Sequence, residues 1–238
     1  MKKSVFLFLC VAFLVNCSAQ KTIIKDPNAQ ARSVGSFHAI EVSSAIDLYI
    51  TQSDQEAVAV TASDERYRDR IRTEVENGVL RIWYDHTGFS WQFGNKKTKA
   101  YVSFKTLDRL SASGSSDIYV DGAISVEALA IHLSGSSDFK GSVQVSKLEM
   151  HQSGSSDASI NGHAKDLQID VSGASDIKGY DLVVDNCSAH ASGSSDIHIT
   201  VNKELNAQAS GSSDIYYRGA AVIRELHSSG SSSVSRKE

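Results

Sequence analysis

Ser113-Gly114-Ser115-Ser116-Asp117 decides the fold of this chain, because the same five residues keep returning along it. They begin again at Ser134, Ser153, Ser192 and Ser210. A variant with Ala174 in third place begins at Ser172, and a last copy, from Ser229, ends in Ser233 instead of aspartate. Successive starts lie 21, 19, 19, 20, 18 and 19 residues apart. A degenerate earlier copy, Ser43-Ser44-Ala45-Ile46-Asp47, leads into Leu48-Tyr49-Ile50 as Asp117 leads into Ile118-Tyr119-Val120. Recurrence at a nearly constant period of this size marks a repeat architecture in which each unit stacks on the next.

Aligned on their glycines, the copies form columns. Leu129, Ile131 and Leu133 in one repeat, and Leu167, Ile169 and Val171 in another, alternate with polar or small residues. That is the period of two of a strand with one buried face. A second alternation follows the aspartate, as in Ile197-His198-Ile199, and a Gly-containing turn such as Asp121-Gly122 or Asn161-Gly162 comes after it. Each repeat thus supplies two or three short strands and cannot bury its apolar side alone. Stacking the repeats at ~4.8 Å closes a continuous core and pairs every strand with the coils on either side. The expected fold is all-β: a right-handed single-stranded parallel β-helix of ~19-residue coils. Irregular coil lengths favour that hand over the regular hexads of a left-handed triangle.

Residues 111–236 carry the repeat, and residues 33–110 read as an N-terminal β region capping it. Phe37 to Val42 leads into the degenerate corner and so begins the solenoid. The charged stretch Asp64 to Arg72 suits a short helix or loop, and Asn77-Gly78 suits a hairpin turn. Strands are expected at Leu80–Tyr84 and Ala100–Lys105, joined by an aromatic loop containing Phe89, Trp91 and Phe93. An open solenoid end would recruit other strands, which gives such a cap its purpose.

Residues 1–19 read as a signal peptide: Lys2 and Lys3 precede an apolar run from Val5 to Val15, too short to span a bilayer. Leu14-Val15-Asn16-Cys17 permits lipidation of Cys17, and Cys17-Ser18-Ala19 permits ordinary cleavage before Gln20; residues 20–32 read as a linker. Export follows from either route, with a lipid anchor the sole membrane attachment. Cys187 is then left without a disulfide partner and reads as a small buried apolar residue. The formal charge of −4, with no Lys/Arg cluster, gives no nucleic-acid footprint.

The pattern Phe37-x-x-Ile40-x-Val42, then Ala45-Ile46-Asp47-Leu48-Tyr49-Ile50, then Asn77-Gly78-x-Leu80-x-Ile82, then repeated Ser-Gly-Ser-Ser-Asp, resembles the auto-transporter adhesin head, GIN-domain family. The resemblance covers roughly residues 34 to 236. It implies an exported or lipid-anchored β-helical protein of Gram-negative bacteria, in the periplasm or at the outer membrane and cell surface. The family name implies adhesion, and no catalytic or binding residues come with it.

Three sets of residues are candidates for chemistry. Asp117, Asp138, Asp157, Asp176, Asp196 and Asp214 form a column whose neighbours lie roughly 5 Å apart and repel by about 1 kcal/mol in water. Either they cap amides of their own corners, as in Asx turns, or they hold calcium. His132, His151, Asp170 and His190 form an outward column, read as solvated surface or as a zinc-type site shared by two or three ligands. Trp83, Tyr84, Phe89, Trp91 and Phe93 are aromatics that either pack the cap or anchor a ligand. No cofactor is required.

β-Helix lyases and hydrolases need carboxylates clustered with a basic residue in a groove of long loops, and no loop insertion separates Ser113 from Ser233. A non-enzymatic reading is therefore favoured. Two forms of it are open: an adhesin-like module binding glycans or proteins, and a structural envelope protein that forms homo-oligomers.

Overall fold

The computed structural model describes Asp26, residues 28–87 and residues 97–238. The signal-peptide reading, Cys17, and Phe89, Trp91 and Phe93 lie outside the described residues. Strands make up 64% of it, beside one short helix, and most of them stack in parallel as a β-solenoid of about 7 turns.

A short strand β1 (Gln30–Arg32) precedes the first coil, so part of the segment expected as linker is paired structure. The first coil consists of β2 (Ala39–Val42) and β3 (Asp47–Gln52) around the degenerate corner. The chain then leaves the stack through β4 (Ala57–Thr61), the single-turn helix α1 (Glu65–Arg68) and β5 (Ile71–Glu76). Asp64 caps α1 by accepting a hydrogen bond from the Arg66 amide. Asn77 (φ 51°) and Gly78 (φ 77°) turn the chain, both with the positive φ of a type I′ hairpin. It returns as β6 (Val79–Tyr84) and β7 (Lys99–Phe104).

The position of this returning coil differs from expectation. Residues 37–52 do not begin the stack. β6 and β7 pair parallel with one edge of β2 and β3, whose other edge is taken by β8 (Arg109–Ala112) and β9 (Ile118–Leu133). The chain's first coil is therefore the second in space. A parallel strand offers the same ladder on both edges, so the next coil in sequence was free to add outward before the rest added inward. The end is closed by antiparallel strands: β5 on β6, β4 on β7, and β1 on β4.

From β9 the coils stack in sequence order as β10 (Phe139–Gln152), β11 (Ala158–Val171), β12 (Ile177–Ala191) and β13 (Asp196–Ala209). The last coil is split into β14 (Asp214–Arg218) and β15 (Val222–Ser228), and β16 (Ser233–Arg236) adds to β14. The short strands expected within each repeat are continuous here. β10 pairs with β11 from Phe139↔Ala158 to Gln152↔Val171 straight through the Gly-containing bend, because both coils bend at the same place. Inward columns fill the interior: Leu129, Leu148, Leu167, Cys187 and Leu205 lie in register and are all buried. Cys187 thus occupies a leucine's place, and burial pushes its thiol well above the usual range.

The corners explain the repeated motif. A Cβ on Gly154 (φ +84°) would lie 2.4 Å from the carbonyl oxygen of Gly135 in the coil before, and Gly173 and Gly193 stand in the same relation to their predecessors. Gly122 (φ +83°), at the bend, has open space around it. Substitution at the bend meets only the cost of left-handed backbone, about 1–2 kcal/mol, whereas at the corner a steric clash is added. Gly154→Ala is expected to lower unfolding free energy by about 3 kcal/mol or more and Gly122→Ala by about 1–2 kcal/mol, measured by denaturant titration.

Candidate functional site

The aspartate column is tied together by hydrogen bonds between coils. Each Oδ1 accepts a hydrogen bond from the backbone N–H of the aspartate one coil on: Asp138 to Asp117 (3.0 Å), Asp157 to Asp138 (3.2 Å), Asp176 to Asp157 (3.3 Å) and Asp196 to Asp176 (3.2 Å). The capping is therefore between coils, not within one corner as an Asx turn would have it. The preceding serines are wholly buried and work in the opposite direction. The amide of Ser116 donates to Ser137 Oγ (3.2 Å) and that of Ser156 to Ser175 Oγ (3.1 Å), each in the following coil. Second carboxylate oxygens are also engaged in places, by Lys178 at Asp157 (3.1 Å) and by the Tyr216 hydroxyl at Asp214 (2.8 Å). Asp47, at the inserted first coil, has its carboxyl raised by burial and then by Asp117. Asp214 is held below the usual range by hydrogen bonds from the Ser233 and Tyr216 hydroxyls.

The histidine column lies along an open groove of about 900 Å³ that follows the solenoid axis from Ser111 to His227. Its rungs are set by parallel pairing: Ser111↔His132, His132↔His151, His151↔Asp170, Asp170↔His190, His190↔Gln208 and Gln208↔His227. A serine column, containing Ser134, Ser153 and Ser172, forms its other wall. The His132 and His151 rings meet edge to face at 5.0 Å. His151 Nε2 lies 2.7 Å from Glu149 and its Nδ1 3.5 Å from Asp170. Burial, then the neighbouring His151, lowers the affinity of His132 for a proton. The hydrogen bond with His151 holds Glu149 below the usual carboxyl range. His190 is one rung beyond Asp170, and among the described residues no group of three or more His, Cys, Asp or Glu is arranged to hold a metal ion.

The aromatic candidates separate. Along β6, Leu80, Ile82 and Tyr84 point inward, so Tyr84 is core, 2% exposed, and not part of a ligand-facing set. Trp83 faces outward and is half-buried. With Ser43, Glu41 and Arg81 it lines a smaller pocket that shares Ser111 and Ser113 with the histidine groove. The groove is thereby extended to an indole at its N-terminal end. Arg81 and Arg109 flank Glu41 there at 3.4 and 3.6 Å.

Sequence reasoning missed a stack on another side of the solenoid. Tyr49 sits between Tyr101 (5.4 Å) and Tyr119 (5.0 Å), rings nearly parallel. The Asp-x-Tyr spacing at Asp47 and Asp117 showed two of the three, but Tyr101 joins only because its coil was added outside. Its rings cover one another's faces, so the stack serves cohesion.

A parallel β-solenoid with antiparallel N-terminal strands and an axial groove lined by a histidine-containing column and a serine column defines the class. The chain belongs to the family described as "putative auto-transporter adhesin, head GIN domain", whose pattern matches residues 36–221. Comparison with curated proteins finds no match. Among solved structures, a "putative adhesin" from Bacteroides fragilis superposes with a TM-score of 0.82 at 20% identity, covering 88% of this chain and 96% of its own. A "putative adhesin" from Parabacteroides distasonis gives 0.72 at 21% identity, over 88% and 96%. A "putative lipid binding protein" from the same species gives 0.67 at 22% identity, over 90% and 98%. At these identities the likeness is one of fold. No helix among the described residues is long and apolar enough to cross a membrane.

If the carboxylate oxygens serve as amide acceptors, Asn can replace Asp and Ala cannot. Asp138→Asn should change unfolding free energy by less than about 0.5 kcal/mol, and Asp138→Ala should cost about 1–2 kcal/mol, in the same denaturant titration. Stripping the full chain with a chelator and adding back calcium or zinc should leave its thermal midpoint unmoved; a large rise with either ion would make one of the ladders a metal site.

Proposed function

We propose that the protein is an exported, non-enzymatic binding module of the cell envelope that holds an extended glycan along the histidine groove. The observation that carries this reading is the continuity of that groove, from Trp83 through Ser111 to His227, along parallel coils. Each coil presents one imidazole, carboxylate, amide or hydroxyl and one serine hydroxyl at the ~4.8 Å strand spacing. A linear glycan repeats its hydroxyls at a comparable interval, and the indole at one end suits the apolar face of a sugar ring. A protein partner would call for a cluster of apolar or aromatic anchors, and the ladder of hydroxyl, imidazole and amide groups along the groove supports a glycan over a lipid. The non-enzymatic part is supported by the groove's lining, which among the described residues holds one carboxylate, Asp170, where glycoside hydrolysis ordinarily takes a facing pair.

The test is binding of the full chain to an array of linear glycans. His151→Ala combined with His190→Ala, and separately Trp83→Ala, should each weaken the best glycan by at least about tenfold, which is 1.4 kcal/mol. Undiminished binding by the double variant would overturn the reading. Loss only when residues 88–96 are replaced by Gly and Ser would move the site to the aromatic loop.

A further inference from the structure

The two ends of the solenoid differ. At the N-terminal end β5 and β4 add antiparallel to the two strands of the outermost parallel coil, and β1 adds to β4. At the other end, among the described residues, β15 pairs only with β13 and β16 only with β14, leaving both outer edges without a neighbour. The inward columns run out into solvent there. Ile223 stacks on Leu205 and Leu226 on Ala207, both fully buried, yet Ile223 is 39% and Leu226 45% exposed. With Val222 they are the exposed large apolar side chains among the described residues, and all three belong to β15.

The order of residues on that edge indicates what covers it. A register shift between Leu205 and Asn206 brings Ile223 and Leu226 inward, with Arg224 and Glu225 between them on the outside. Arg224 pairs there with Glu204 (2.7 Å) and Glu225 with His227 (3.3 Å). Apolar-in, cation-out, anion-out, apolar-in is a pattern complementary to itself when reversed. Laid antiparallel on a second copy of β15, about a two-fold axis between Arg224 and Glu225, Ile223 meets the partner's Leu226 and Arg224 meets the partner's Glu225, each twice.

We infer that the open end is a self-recognition surface, through which two copies of the chain join tail to tail, β15 against β15. Such an isologous contact closes at two. The outer N-terminal strands β5 and β1 carry none of the exposed large apolar side chains among the described residues, so that end offers no matching edge for further growth. One coil end presents a single strand edge, so the expected dimer is a reversible one, short of the ~1,000 Å² or more of a stable interface. In it the two grooves run in line, pointing away from each other.

Sedimentation equilibrium of the full chain, from low to several hundred micromolar, tests this. A monomer–dimer equilibrium is expected, with Leu226→Arg raising the dissociation constant at least about tenfold while leaving the thermal midpoint within a degree or two, since Leu226 is already exposed. Arg224→Glu and Glu225→Arg should each weaken the dimer, and the two together should restore it, because exchange regenerates both ion pairs. A chain that stays monomeric throughout overturns the inference. So does a dimer indifferent to Leu226→Arg, or one lost only when residues 88–96 are replaced, which would take the contact away from β15.

Discussion

At each corner two successive amides point along the solenoid axis in opposite directions. The amide of the last serine faces the coil ahead, and the amide of the aspartate faces the coil behind. The backbone there turns too sharply to continue the parallel ladder, and only towards the C-terminal end, at Asp214 and Ser233, does the second amide also reach a carbonyl, of Ser195 (3.0 Å) and Ser213 (3.3 Å). An unpaired buried amide costs about 1–3 kcal/mol, and repetition over every coil would overwhelm the net stability of a domain. A buried serine hydroxyl supplies one acceptor and an aspartate carboxylate the other. Glycine lets the backbones approach closely enough for both bonds to form. The recurrent motif is the minimal set of side chains that solves this problem, which explains why it changes so little between coils whose strands vary freely.

The same interaction settles how the carboxylates can be stacked. Neighbouring charges roughly 5 Å apart repel by about 1 kcal/mol in water and more where water is excluded. Each aspartate accepts an amide hydrogen, and several also face a lysine or tyrosine. Repulsion is offset locally, coil by coil. Asp47 shows the limit: at the inserted first coil, burial and Asp117 together push its carboxyl toward the protonated form.

A stack built this way is uniform along its length and vulnerable at its ends. The N-terminal end spends a hairpin, a helical turn and three antiparallel strands on closure, and it does so by inserting its first coil beneath a later one. The consequence reaches the groove. Because β6 lies outside β2, Trp83 comes into line with Ser43 and Ser113 and extends the polar face by an indole. Tyr84, one residue on, falls to the inward side of the same strand and becomes core.

Read alone, the sequence determined the stacking period, the corner residues, the inward columns and the outward histidine column, because each follows from chemistry repeated within a single coil. His132, His151, Asp170 and His190 were legible as neighbours from their common distance to a glycine, and Cys187 as a core residue from its lack of a disulfide partner. Tertiary structure alone decided which coil lies on which. A parallel strand presents the same ladder on both edges, so alternation says which side of a strand is buried and nothing about its neighbours. The place of residues 37–52, the joining of Tyr101 to Tyr49, the reach of each aspartate to the next coil and the meeting of Trp83 with the groove all turn on that choice. None leaves a mark within one repeat, since each is a contact between repeats.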